Sequence, residues 1–232
     1  MYQAVLLDMY GTLVHEDDAV LGPICEHIAE LGQLQASAVA ELWWQLFREA
    51  HGGSHGQTFR LQADLSRDTL AATLRRLGVA ADADRLCEAQ FAFWRRPPIF
   101  GDSLPFLREI DVPVCLVFNI DRDDLDAAMT HHGFDVAAVV TSQDARAYKP
   151  RPEPFERAMT TLGVTPSDVL HVGDSLSADV AGAEALGIRS AWINRSGRPL
   201  PAGPTPTYVV NILTDLLPLL QSDARPDRPV IG

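Results

Sequence analysis

Short apolar runs alternate with longer stretches of helical periodicity along most of this chain. Residues 4–7, 112–118, 136–140, 169–172, 189–193 and 208–210 are rich in β-branched and other apolar side chains and lack the polar alternation of a half-exposed strand. Such runs suit strands buried on both faces, as in a parallel sheet. Amphipathic stretches at 123–132, 153–162 and 177–186 lie between them, the last two followed by Gly163 and Gly187 as stop signals. Strand, helix, strand in repetition predicts an α/β fold with a doubly wound, Rossmann-like parallel sheet. Residues 15–100 break the rhythm with helical periodicity at 19–31, 36–49, 66–77 and 82–94 and a Gly/His/Ser interruption at 51–56. That block reads as an inserted all-helical unit closed by Pro97-Pro98. The predicted organisation is a core of residues 1–14 and 101–221, a helical insertion over 15–100, and a disordered tail at 222–232, which is aperiodic, charged and proline-bearing.

Composition narrows the function without disturbing that picture. A chain that is 47% hydrophobic and 22% charged is an ordinary globular one, neither fibrous nor disordered. Its net charge of −12 repels phosphate backbones and acidic headgroups, so neither nucleic acid nor a membrane is an expected partner. The three cysteines, Cys25, Cys87 and Cys115, are scattered and odd in number, which indicates no disulfide framework and no thiolate metal site. With no basic leader and no long apolar span at the N-terminus, a cytoplasmic protein is expected. Monomer and homodimer are equally compatible with the sequence.

Candidate chemistry sits where the predicted strands end. The segments are Asp8-Met9-Tyr10-Gly11-Thr12-Leu13, Phe118-Asn119, Lys149-Pro150, and Gly173-Asp174-Ser175 followed by Asp179. Open α/β sheets bind ligands at that edge. A strand-end aspartate beside glycine is ionised at neutral pH and needs no base to act as a nucleophile, so Asp8 fits that role, the alternative being a cap on the following turn. Asp8, Asp174 and Asp179 together would repel one another unless a hard cation joined them, which points to Mg²⁺; Asp179 has the alternative of capping a helix turn. Lys149 is the only lysine in a chain with 18 arginines, a compact point charge where the composition otherwise uses a planar fork.

In order and spacing these four segments resemble the haloacid dehalogenase superfamily of hydrolases, and the block at 15–100 resembles that superfamily's C1 cap, the likeness covering about residues 1 to 220. The resemblance implies a small-molecule substrate, a phosphorylated metabolite, turned over through an aspartyl phosphate. It implies Asp8 as nucleophile and a metal held by Asp8, Asp174 and the backbone carbonyl of Tyr10, with Asp179 in direct contact or one shell behind. Lys149 is implied as the phosphate-binding cation. Thr12, with the amides of Met9 and Tyr10, lines the anion site, and Asn119 and Ser175 contact substrate or orient Asp8. Two positions depart from the phosphatase pattern: Tyr10 stands where a second aspartate usually acts as acid and base, and Phe118 where Ser or Thr usually precedes Asn119. Tyr10 could itself donate a proton. A tyrosine there is the dehalogenase habit, because halide leaves without a proton, so a 2-haloacid dehalogenase is the alternative. Against it stand the intact acid cluster and the lack of any arginine before Arg48. A catalytically degenerate binding protein is the third possibility. The single lysine excludes the Schiff-base phosphonate hydrolases of the superfamily, which need a second one in the cap.

Overall fold

Strands β1 (Ala4–Leu7), β2 (Val114–Phe118) and β3 (Ala138–Thr141) form one half of a parallel six-stranded sheet. Strands β4 (Val169–Gly173), β5 (Arg189–Ile193) and β6 (Tyr208–Val210) form the other, in the order β3-β2-β1-β4-β5-β6. The structure, a computed structural model, describes residues 2–221; the tail expected to be disordered lies outside them. Both faces of the sheet are covered: Val5 and Leu7 of β1 join one apolar cluster with Leu116 and Val172, while Ala4 and Leu6 join the other with Cys115 and Val169. Burial of alternate side chains on opposite faces is why these runs carry no polar alternation. Strand β2 begins two residues later than the apolar run suggests, just past Pro113, which has no N–H to donate to a neighbouring strand.

After β1 the chain first forms the four helices of the inserted block: α1 (Asp18–Gly32), α2 (Ala36–Gly52), α3 (Gln62–Leu77) and α4 (Ala83–Arg95). They enclose their own apolar centre, built around Ile28, Val39, Trp43, Leu70 and Leu74. Helix α2 runs through His51 to Gly52, two residues into the predicted break. Helix α3 starts four residues before the periodicity suggests, because Asp121, from beyond β2, accepts from the backbone N–H groups of Gln62 (2.8 Å) and Ala63 (2.9 Å). An oxygen arriving from a distant loop satisfies helix-start donors that no nearby side chain reaches. Then follow α5 (Ser103–Glu109), absent from the sequence expectation, α6 (Arg122–His132), a short α7 (Ser142–Ala145) and α8 (Pro152–Leu162). A π-helical turn, Leu176–Val180, leads into α9 (Ala181–Ala185), so the single helix expected over 177–186 is two pieces. Among the described residues, no helix is long and apolar enough to cross a membrane.

Candidate active site

The strand order changes direction between β1 and β4, and the C-terminal ends of these two neighbours place Asp8 and Asp174 side by side. Such a switch point opens a crevice in α/β sheets. The backbone N–H of Asp8 donates to the Val172 carbonyl at 2.9 Å, so the sheet itself fixes the base of the Asp8 side chain. Carboxylate oxygens of Asp8, Asp174 and Asp179 lie within 4.8 Å of one another. Gly11 makes the approach possible: a Cβ there would lie 2.3 Å from Asp174 Cγ, and its φ of +74° is one that side chains rarely adopt. Gly173 does the same for Asp179, with 2.3 Å to Cγ.

Lys149 reaches into this cluster from the loop before α8. Its Nζ donates to Asp8 Oδ1 at 2.7 Å and to Asp179 Oδ1 at 2.6 Å, and the side chain is 2% exposed. Burial works against its charge, but Asp179 and Asp8 outweigh that and raise its pKa. Asp179 accepts twice more: Oδ1 also takes the His171 Nε2 proton at 2.9 Å, and Oδ2 takes the Ser175 N–H at 3.0 Å. Desolvation disfavours the Asp179 carboxylate, yet Lys149 and His171 hold its pKa well below the usual range. With both oxygens bound to protein, Asp179 fixes Lys149 in place. Burial drives the pKa of Asp8 up to about 8 against the pull of Lys149, with Asp179 and Asp174 adding to the rise. Asp174 is pushed up to about 7, by desolvation first and by Asp179 second. Two carboxyls this reluctant to ionise, with hard oxygen donors converging on one point, fit a divalent cation such as Mg²⁺.

Several expected ligands sit differently. The Tyr10 hydroxyl donates to the Trp94 carbonyl in α4, and burial raises its pKa far above that of free tyrosine. The hydroxyl that the sequence offers as a proton donor is thus engaged by the helical block in this structure. Asn119 faces the Lys149 backbone and not Asp8: Oδ1 accepts from Lys149 N–H at 2.7 Å and Nδ2 donates to its carbonyl at 3.1 Å. It clamps the loop that carries the ammonium. Ser175 lines the cavity, but its Oγ accepts from Ala178 N–H at 3.1 Å, starting the π-helical turn. Thr12 is fully buried behind the loop, its Oγ1 without a partner and its carbonyl held by Arg195, apart from the residues lining the cavity. His171, buried in β4, holds Asp179. No sequence signal marked it, since the contact depends on β4 lying beside the turn that follows it.

Above the carboxylates lies a cavity of about 990 Å³, floored by Asp8, Asn119, Lys149 and Asp174 and walled by α1 and α2. Its wall is largely apolar, with Leu21, Trp43, Trp44 and Phe47, and carries the acidic side chains Glu16, Asp17 and Glu26 and the cation Arg48. The sequence did not single out Glu16. It is open to the cavity but enclosed by protein, and desolvation, with Asp174 and Asp8 nearby, drives its carboxyl to about 9.

Residues 2–187 match the model of a hydrolase family, the haloacid dehalogenase-like hydrolases. The chain is 34% identical over 155 residues to the N-acylneuraminate-9-phosphatase of Mus musculus, a match covering 61% of this chain and 62% of that relative's length. It is also 30% identical over 235 residues to the (S)-2-haloacid dehalogenase of Pseudomonas sp. (strain YL), covering 96% of each. Among solved structures, the L-2-haloacid dehalogenase of Xanthobacter autotrophicus superposes with a TM-score of 0.74 at 25% identity, over 97% of this chain and 100% of the other. Relatives of both chemistries thus resemble this molecule.

Proposed function

Because this chain belongs to the haloacid dehalogenase-like hydrolases, we propose that it is the phosphatase its acid cluster suits: a Mg²⁺-dependent phosphomonoesterase with Asp8 as nucleophile. The observation that carries the reading is the approach of Asp174 to Asp8, kept open by the missing side chain at Gly11. Without a cation the pair is self-repelling, and displacement at carbon by a single carboxylate gains nothing from the second acid. Asp8, Asp174 and the Tyr10 carbonyl would hold the ion, with Asp179 behind them anchoring Lys149. When bound, Mg²⁺ supplies positive charge that lets a phosphate dianion approach a carboxylate and stabilises the charge on its oxygens.

The chain's own residues do the rest. An Asp8 oxygen bonds to phosphorus as the bond to the leaving oxygen breaks, giving an aspartyl phosphate, and water then releases inorganic phosphate and restores the carboxylate. Lys149, held by Asp8, Asp179 and the Asn119 clamp, lies ready to neutralise a phosphoryl oxygen. The helical block acts as a cap, walling the cavity and excluding bulk water. With the Tyr10 proton bonded to Trp94, the leaving oxygen departs without an acid from that position. General acid help is worth roughly 10² to 10⁴ in rate, so the reading favours leaving groups of low basicity, aryl or acyl rather than alkyl.

A second reading, a 2-haloacid dehalogenase, draws support from Tyr10 and from the relative matched over 96% of both chains. There Asp8 attacks carbon and halide leaves without a proton. One experiment separates the two: p-nitrophenyl phosphate with and without Mg²⁺, and L-2-chloropropionate without metal. Phosphate release that requires the metal supports the phosphatase, and chloride release without metal the dehalogenase.

A further inference from the structure

We infer that the cavity is built for a leaving group with a planar aromatic ring, so that the substrate is a phenolic phosphate ester. This deepens the phosphatase reading and rests on it. The observation is a file of rings along one face of α2 that shares the cavity with Lys149. Tyr148, the residue before Lys149, packs its ring against His51 with centroids 3.9 Å apart. His51 meets Phe47 at 5.5 Å, and Phe47 meets Trp44 at 5.9 Å with the planes only 13° apart. Positions 44, 47 and 51 follow helical spacing and all three line the cavity.

Aromatic residues at such spacing usually serve a core, and α2 has its core tryptophan in Trp43, 7% exposed, with its indole N–H on Thr69 Oγ1 at 3.2 Å. Trp44 plays no such part, being 57% exposed at the end of the file. Arg48, 5.7 Å over the indole, covers part of one face and leaves most of the ring open. His51 adds no charge to the file, because burial lowers its pKa to about 4. Beyond the phosphate site the carboxylates of Asp17 and Glu26 disfavour a leaving group with further negative charge. An uncharged ring stacked on Trp44 and Phe47 matches that surface.

The chemistry agrees with the geometry. As the Asp8–phosphorus bond forms, the phosphorus–oxygen bond breaks and its electron pair leaves on a phenolate, whose conjugate acid has a pKa near 10, close to that of a tyrosine side chain. That departure needs no proton, which suits a site where the Tyr10 hydroxyl is already engaged.

The test compares phenyl phosphate with acetyl phosphate, which also leaves without a proton but carries no ring, both with Mg²⁺ and the full chain. The wild-type KM for phenyl phosphate is expected to be at least tenfold lower than for acetyl phosphate. Trp44→Ala should bring that ratio close to one, and Trp44→Phe should restore most of it. Phe47→Leu, which keeps an apolar side chain, should lower the ratio as well and serves as the reading if Trp44→Ala does not fold. Equal KM values in the wild type, or a ratio untouched by both substitutions, would overturn the aromatic inference while leaving the phosphatase standing. Hydrolysis of neither ester would remove the phosphatase reading, and this inference with it.

Discussion

The rings of Tyr10 and Phe118 are stacked, 4.8 Å between centroids and 19° between planes. These are the two positions at which the chain departs from the phosphatase pattern, and they depart together as one packed contact across the ends of β1 and β2. Both belong to the same buried cluster, and the Tyr10 hydroxyl ties that cluster to α4 through the Trp94 carbonyl. What reads as two lost polar groups is one gained apolar joint between sheet and helical block.

Tyr10→Phe keeps the joint and removes only the hydroxyl. Leaving the buried Trp94 carbonyl unpaired should cost about 1 to 3 kcal/mol in denaturant unfolding, while kcat for phenyl phosphate changes by less than about threefold. A fall of roughly 10² or more would mean the hydroxyl donates a proton after all. Tyr10→Asp exchanges a buried ring for a buried charge and should destabilise by about 3 to 5 kcal/mol. Combining it with Phe118→Thr should lose less than the sum of the two singles, since the residues touch.

Rate should depend steeply on the leaving group. Phenyl and acetyl phosphates are expected to react at least about 10² faster in kcat than a sugar phosphate, the size of one missing acid. Comparable kcat values across that series would show that another group supplies the proton.

Water activation is expected to be slow for the same reason, so the Asp8 acyl phosphate should build up during turnover. Intact mass after rapid quenching should show one added phosphoryl group, absent in Asp8→Asn, which should also be inactive. A wild-type spectrum free of that species throughout turnover argues against rate-limiting dephosphorylation.

Metal binding should strengthen with pH. The folded-state values of Asp8, about 8, and Asp174, about 7, both lie above the reference 3.8, so the metal-free protein binds more protons than the unfolded chain. Its stability from these groups is fully present below about pH 4 and is lost as pH rises to about 8. A divalent cation displaces those protons, so the rise in Tm on adding Mg²⁺ should be larger at pH 8.5 than at pH 6. Asp179, held low, acts in the opposite sense only below its reference value and does not enter this window. A gain in Tm that is flat with pH would contradict the proposed ligands.

Gly11→Ala should expose the dependence of the site on one absent side chain. The new Cβ would collide with the Asp174 carboxylate, and the φ of +74° adds backbone strain of about 1 kcal/mol or more. Isothermal titration should show Mg²⁺ affinity reduced by tenfold or more, beyond what the lower Tm explains.

The sequence by itself determined the sheet and the presence of its carboxylates. Ala4–Leu7 is apolar throughout, and Val169–Gly173 is so except for His171, because both faces are buried, and aspartates directly after such strands must emerge at the same edge. Those are local properties of strands, and periodicity reports local properties. Only the tertiary structure decided what each polar group does there. Tyr10 meets Trp94 across 84 residues, Asp121 starts α3 across 59, and Asn119 grips the Lys149 backbone across 30. A side chain spends its hydrogen bonds on whichever donor or acceptor folding brings within about 3 Å, and no spacing along the chain encodes that. The same holds for the ring file: the i, i+3, i+7 pattern places Trp44, Phe47 and His51 on one face, but only tertiary packing set that face on the cavity that Lys149 also lines.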